Sequence, residues 1–493
     1  MRIIGNDPSV PRQTQEVASG TLPNGKAVIV NADGTVSVVS ETPVTQAVGT
    51  PVQFTSSNAY YPHAAFDSVN NKVVVVYRGS SNYGQAIVGT VDPSNNSISF
   101  GTATTFLSAY TSDTSIAFDS TNEKFVIAYR HNISYVSQHG RAIVATVSGT
   151  SISFGSPVTF NSASGSGTST ENISLAFDSN AEKMVIAYQD VGNSNYGTAI
   201  VGTVSGTDIS FGSETVFQSG YTIPPNAVFD STNNKIVIVY GSDDTPSKPT
   251  AIVGTVSGTS ISFGTEAYVE NVDGSSGISV SHDTTNNKVV IVYSDTTNTR
   301  ARAVVGTVSG TSISFGTVVT FDDDQIYDPK VVYDSSANKH VVAYKALDNS
   351  NYGTAIVGTV SGTDISFGSE VTLTENNIEG NPIIGGTFDS ANNRVVFVYR
   401  HTSGGTGKAV VFRNTSTSTN ITSENFIGFS DGAFADTDSA VINTTNTIDR
   451  NQSSLTAGQT YFVQNDGTLG LTADDPSVTA GTAISATELI VKG

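Results

Sequence analysis

Three arginines each follow a recurring tyrosine: Arg78, Arg130 and Arg400 stand directly after Tyr77, Tyr129 and Tyr399. Gln189, Gly241, Ser294 and Lys345 occupy the same place after Tyr188, Tyr240, Tyr293 and Tyr344. Close to the arginines in the chain stand Tyr60, Tyr61, His63, Tyr110, His131, Tyr135, His139, Arg141 and His401. A guanidinium is a planar fork that matches carboxylate and phosphate, and a tyrosine offers a flat face to a sugar ring. Grouped on one surface, Arg78, Arg130, Arg400, His63, His131, Arg141, His401 and Tyr61 would bind an acidic glycan or a lipopolysaccharide. The same side chains also serve as solvated rim charges whose stems cover apolar surface. Acidic residues gather elsewhere, as Asp243 and Asp244 and as the run Asp322-Asp323-Asp324, read with the fourth and sixth repeats.

Other chemistry is poorly provided for. The chain has no cysteine, no G-x-S-x-G and no H-E-x-x-H, so the familiar nucleophile and zinc arrangements are missing. A recurrent Asp-Ser/Thr turn lacks the D-x-D-x-D-G spacing of a calcium loop and reads as aspartates capping their own turns. Without tryptophan, the Asp-box of sialidase-type propellers cannot be written. The expectation is therefore no catalytic residue, no metal and no cofactor. One alternative stays open: carboxylates from different repeats meeting in a central funnel could cleave a polysaccharide.

The balance of 23 basic against 43 acidic residues, net −20, argues against a nucleic-acid partner, which needs a basic footprint. The first fifteen residues hold no apolar run of signal-peptide length, and no run is long enough for a membrane-spanning helix. A soluble product not addressed for secretion is expected.

What must position these residues is a repeat. The unit reads AFDSxNNKVVIxYR…YGTAIVGTVSGTSISFGSxVTF, and its aspartate recurs at Asp67, Asp119, Asp178, Asp230, Asp283, Asp334 and Asp389. A base follows five residues later (Lys72, Lys124, Lys183, Lys235, Lys288, Lys339, Arg394) and a tyrosine ten residues later. Each unit predicts four short strands rich in Val, Ile, Phe and Thr. Four-stranded units of this length, seven in number, predict a seven-bladed β-propeller. The last unit lacks its fourth strand, and residues 48–54, VGTPVQF, match that missing piece. The expected fold is thus all-β, a propeller closed by an N-terminal strand. The first turn of each unit never changes length while the second and fourth connections do, so the variable loops mark an expected recognition face.

Two segments outside the repeats resemble each other: residues 22–36, LPNGKAVIVNADGTV, and 455–469, LTAGQTYFVQNDGTL. Each predicts a hairpin turning at Asp-Gly. The expected organisation is a small split β domain, 1–47 and 415–493, with the propeller, 48–414, inserted.

The text FDSxNNKVVIxYR…NSNYGTAIVGTVSGTSISFGS resembles propeller-like repeats in virion structural proteins of marine bacteriophages, the cyanophage and pelagiphage groups. The closing segment, from Phe426-Ile427-Gly428-Phe429 to AGTAISATELIVKG, is similar to a terminal module of their tail-fibre-like proteins. The resemblance implies a capsid decoration, head appendage or short tail adhesin, assembled in the host cytoplasm and carried on the virion. Its split domain would dock on other virion proteins and trimerise, and its propeller would face host-surface glycan. It carries no catalytic residue to this chain.

Overall fold

The computed structural model describes residues 13–134, 137–162, 168–242, 247–274, 277–378, 384–474 and 476–492. Tyr135, Asp243 and Asp244 lie outside the described residues. The chain divides into two compact units, one of Met1–Thr45 with Thr415–Gly493 and one of Gln46–Asn414. Among the described residues no helix is long and apolar enough to cross a membrane.

The larger unit consists of seven antiparallel sheets, one per repeat, here called modules one to seven. Module one shows the pattern. Tyr60–Asp67 pairs with Lys72–Arg78, which pairs with Gly84–Asp92. Both Ser97–Phe100 and Thr104–Leu107 then pair with the free edge of Gly84–Asp92. Each module therefore has five strands rather than four, because the expected outer strand breaks in two. The break falls at the glycine of the Ser-Phe-Gly text. At Gly155, Gly212, Gly264 and Gly316 an added Cβ would collide with a threonine carbonyl of the following module, Thr207, Thr259, Thr311 and Thr363 in turn. A backbone approach this close excludes any side chain.

The constant first turn has a local cause. Asp67 is buried, and its Oδ1 accepts from the backbone N–H of Val69 and Asn70, both at 2.9 Å. The same two bonds recur at Asp119, Asp178, Asp230, Asp283, Asp334 and Asp389. Four residues after each aspartate the backbone is left-handed, at Asn71, Glu123, Glu182, Asn234, Asn287, Asn338 and Asn393. Asparagine tolerates that conformation best and fills five of the seven places. Among the described residues none of the following bases forms an ion pair with its aspartate, so the capping bonds alone shape the turn.

The core lies between sheets rather than within them. Seven apolar clusters are each drawn from two consecutive modules, and the last joins module seven to module one. The second strands, such as Lys72–Arg78, are buried on both faces. The first strands of consecutive modules lie side by side, and Ile384–Asp389 of module seven lies against Tyr60–Asp67. Module seven takes its outer strands from ahead of module one: Val48 stands opposite Phe412, Val52 opposite Ala409 and Gln53 opposite Lys408.

The expectation of a seven-bladed propeller closed by an N-terminal strand requires correction. The observed fold is all-β with repeated sheets of four to five strands, but no sheet closes into a barrel or propeller and none is curled. Every hydrogen-bonded ladder ends at two edges, and modules meet through side chains. The repeat text specifies one open sheet seven times; it does not specify a ladder running through all of them.

The smaller unit holds two five-stranded sheets. One orders Gln13–Val17, Ser439–Asn443, Phe426–Ser430, Ala27–Val30 and Val36–Val38; the other orders Ile448–Asp449, Leu489–Val491, Val478–Ala483, Thr460–Val463 and Leu469–Gly470. Ala27, Ile29, Phe429, Tyr461, Val463, Leu489 and Val491 form their shared core. The two resembling segments form twin hairpins. Gly34 (φ +83°) and Gly467 (φ +80°) take the left-handed place after Asp33 and Asp466, whose carboxylates accept from Thr35 and Thr468.

Candidate functional site

Each junction between modules is built on the tyrosine that ends the second strand. Tyr77, Tyr129, Tyr188, Tyr240, Tyr293, Tyr344 and Tyr399 are all buried. A phenylalanine from the preceding module's last strand packs on five of them, with ring centroids 5.2–5.6 Å apart: Phe54, Phe106, Phe160, Phe217 and Phe321 on Tyr77, Tyr129, Tyr188, Tyr240 and Tyr344. Such tilted pairs add about 0.5–1.5 kcal/mol each beyond burial. The hydroxyls then need acceptors. Tyr188 donates to Glu214 at 2.8 Å, Tyr240 to Glu266 at 2.9 Å, Tyr293 to Glu270 at 2.7 Å and Tyr344 to Glu370 at 2.9 Å. Burial first, and the adjoining carboxylates second, push these hydroxyls far above the ordinary range. None of these glutamates was singled out from the sequence, although Glu214, Glu266 and Glu370 share one place in the repeat, directly after FGS or FGT.

Two of the three arginines meet across the junction of modules seven and one. The guanidinium carbon of Arg78 lies 4.2 Å from the ring centroid of Tyr60, 5.2 Å from that of Tyr61 and 4.9 Å from that of Tyr110. Its Nη1 donates to the Tyr110 hydroxyl at 2.7 Å. Arg400 lies 3.9 Å from the same Tyr60 ring and donates through Nη2 to Asn58 Oδ1 at 3.0 Å. Arg78 is 7 % exposed, and its Nε has no acceptor. Among the described residues no carboxylate pairs with it. Arg400 is held below its ordinary pKa, by burial first, with the charge of Arg78 adding to the effect.

The other expected site residues separate from this pair. Arg130 is neutralised: its Nη2 lies 2.8 Å from Asp113 Oδ2, and its Nη1 lies 2.7 Å from Glu171 Oε1. It also donates to Ser112 at 2.7 Å. Arg141 turns to His131, 3.4 Å away, and to the Pro157 carbonyl at 3.3 Å. His401 is buried, its Nδ1 accepting from Ser403 N–H at 3.1 Å. Tyr61 belongs to both the arginine pair and the cavity described next, and His63 to the cavity alone.

That cavity, of about 180 Å³, is lined by the first strands of the modules. Tyr61 (φ 52°), Asp113 (φ 47°), Asn172 (φ 53°) and Asp328 (φ 46°) line it in left-handed conformations, each six residues before its turn aspartate. The pairing register slips beside each of them. A bulge of this kind re-aims side chains, and strained backbone of this kind gathers at functional sites. His63 lines the same cavity and is held down to about 4, by burial first and by the Lys330 charge second. Lys330 is also lowered by burial, whereas burial raises Asp113 despite its bond to Arg130.

The expectation of no catalytic group is corrected as well. Asp322 closes the last strand of module five, and carboxylate oxygens of Asp322, Asp324 and Asp348 lie within 4.8 Å of one another. Burial first, then Glu370, Asp348 and Asp324, raise Asp322 to about 6. A carboxyl held there can take or give a proton near neutrality, which is the requirement for acid–base work.

No protein-family description matches the chain, and no curated protein matches it. Among solved structures, the BP39L lectin from Burkholderia pseudomallei is similar, with a TM-score of 0.53 at 9 % identity, covering 74 % of this chain and 99 % of the lectin. The periplasmic gluconolactonase PpgL of Pseudomonas aeruginosa gives 0.47 at 11 % identity, over 73 % of this chain and 96 % of that one. AofleA of Arthrobotrys oligospora gives 0.41 at 10 % identity, over 71 % and 96 %. None is a virion protein, so the resemblance to marine-phage structural proteins, with its capsid, tail and virion roles, is overturned. At these identities the comparisons speak for the fold alone: this chain folds like a bacterial lectin and takes no family name from it.

Proposed function

We propose that the chain is a carbohydrate-recognition protein that binds an acidic glycan at the junction of modules seven and one. One observation carries the reading: two guanidiniums, Arg78 and Arg400, share the ring of Tyr60, and no carboxylate among the described residues neutralises Arg78. Bringing two like charges together at a half-dry surface is costly unless an anion joins them. In a chain of net charge −20, a buried Arg78 with no carboxylate beside it among the described residues is not a composition effect. A uronate, sialate or sulfate group approaching the Tyr60 ring would meet half-buried Arg400, and Arg78 deepens the positive potential behind it. Tyr110, 40 % exposed, adds a flat face for a sugar ring. The likeness to the BP39L lectin supports a sugar ligand over a free anion. Arg130, His131, Arg141 and His401 have no part in this site.

The test is binding of the full chain to matched oligosaccharides with and without a carboxylate or sulfate. Acidic ligands should bind and weaken as salt rises, and Arg400→Gln should lower affinity by roughly tenfold or more, the scale of a lost charge-assisted hydrogen bond. Arg130→Gln should not change it. Equal binding of neutral and acidic sugars, or an Arg400→Gln chain that binds as the parent does, would overturn the reading.

A further inference from the structure

The junctions between modules can be compared with one another inside this single chain. In three of them a glutamate accepts from the buried tyrosine, and a second residue, just past the preceding module's outer strand core, faces that glutamate. At the junction of modules two and three this residue is Asn161, whose amide donates to Glu214 Oε1 at 3.0 Å and to Asp190 Oδ2 at 3.2 Å. At the next it is Gln218, which donates to Glu266 Oε2 at 3.2 Å. At the junction of modules five and six it is Asp322, which has no proton to give when ionised.

Donors there are already spent. The one proton of the Tyr344 hydroxyl goes to Glu370 at 2.9 Å. Asp322 Oδ1 accepts from the backbone N–H of Asp324 at 2.9 Å, which leaves Oδ2 buried without a hydrogen-bond partner. Asp322 is 7 % exposed, so water does not make up the loss freely. A carboxylate oxygen of each of the exposed Asp324 and Asp348 lies within 4.8 Å of one of Asp322. Where the sibling junctions place an amide, this one places a fourth negative charge.

We infer that Asp322, Asp324 and Asp348 form a binding site for a hard divalent cation, of the calcium class, that takes the place of the missing amide and ties module five to module six. All-oxygen carboxylate ligands select such an ion, and water would complete its coordination. Asp322 and Asp324 come from the end of one module and Asp348 from the next, so the ion would bridge the two modules on their outer side, apart from the buried Asp283–His340 contact that also joins them.

Terbium provides the probe, since it replaces calcium and is sensitised by nearby tyrosine; the chain has 19 tyrosines and no tryptophan. The full chain, stripped with chelator, should show a saturable tyrosine-sensitised terbium signal that excess calcium displaces. Asp322→Asn copies the sibling Asn161, so it should fold as well as the parent or better in chelator yet lose roughly tenfold or more in affinity, on the scale expected when a ligand charge is removed. Asp348→Asn, at an exposed position, should weaken binding without touching the core. Calcium should raise the thermal midpoint of the parent and not of Asp322→Asn. A terbium signal unchanged in both variants, or no saturable signal in the parent, would overturn the assignment.

Discussion

Asp230 offers the sharpest quantitative test of how the modules are joined. Its carboxylate is 1 % exposed and accepts from the backbone N–H of Thr232 at 3.1 Å and of Asn233 at 2.9 Å. The Asn233 amide reaches it at 2.8 Å, and Nε2 of His282, from the next module, lies 3.1 Å away. Burial alone would raise this group, but the close contact of His282 and the bonds from Asn233 outweigh it and hold the carboxyl at about 2 against an ordinary 3.8. At 1.36 kcal/mol per unit the difference amounts to about 2 kcal/mol of stability. Because the folded-state value lies below the unfolded one, the unfolded chain takes the proton first as pH falls. The stabilisation is therefore complete above about pH 4 and disappears as pH falls toward about 2. Urea unfolding of the parent and of Asp230→Asn from pH 7 to pH 2 should show a gap of about 2 kcal/mol that closes across that window. His282→Phe, which restores the residue found at Phe66, Phe118, Phe177, Phe229 and Phe388, should reduce the same pH-dependent part. A gap that stays flat from pH 5 to pH 2 would refute the linkage.

Two further outcomes follow from other parts of the molecule. Gly212→Ala places a methyl against the Thr259 carbonyl of the next module, a backbone atom that cannot yield alone, and should cost about 1–3 kcal/mol in the unfolding midpoint; a neutral substitution would mean the modules do not approach there. His63, lowered to about 4 by burial and by Lys330, should stay neutral in the folded chain down to that pH when followed by NMR. Since the unfolded chain protonates it near 6.5, its contribution to stability is lost as pH falls from about 6.5 to about 4, and titration near 6.5 in the folded chain would contradict the cavity's character.

Much of the local structure was legible because it depends on neighbours in the chain. The five-residue spacing from Asp67 to Lys72, repeated seven times, follows from a carboxylate that reaches the backbone two and three residues on, and from a left-handed residue that asparagine accepts. The Asp-Gly hairpins of residues 22–36 and 455–469 were readable for the same reason. The arginine sector was legible only in part. Arg78, Arg400 and Tyr61 do converge, but Arg130 has the same place in its module and is cancelled by Asp113 and Glu171. Those acids lie 17 residues before it and 41 residues after it, on strands whose adjacency the repeat alone does not state.

The amino-acid order by itself determined the first three strands of each module, their turns and the sevenfold repeat, since each rests on periodicity and on hydrogen bonds spanning a few residues. Tertiary structure alone decided what happens between modules. There Phe160 finds Tyr188, Gly155 meets the Thr207 carbonyl, and Asp322 faces Glu370 in a place where its siblings carry an amide. Residues tens of positions apart share these contacts, and the charge, burial and proton affinity of each group depend on what stands opposite it rather than on what precedes it.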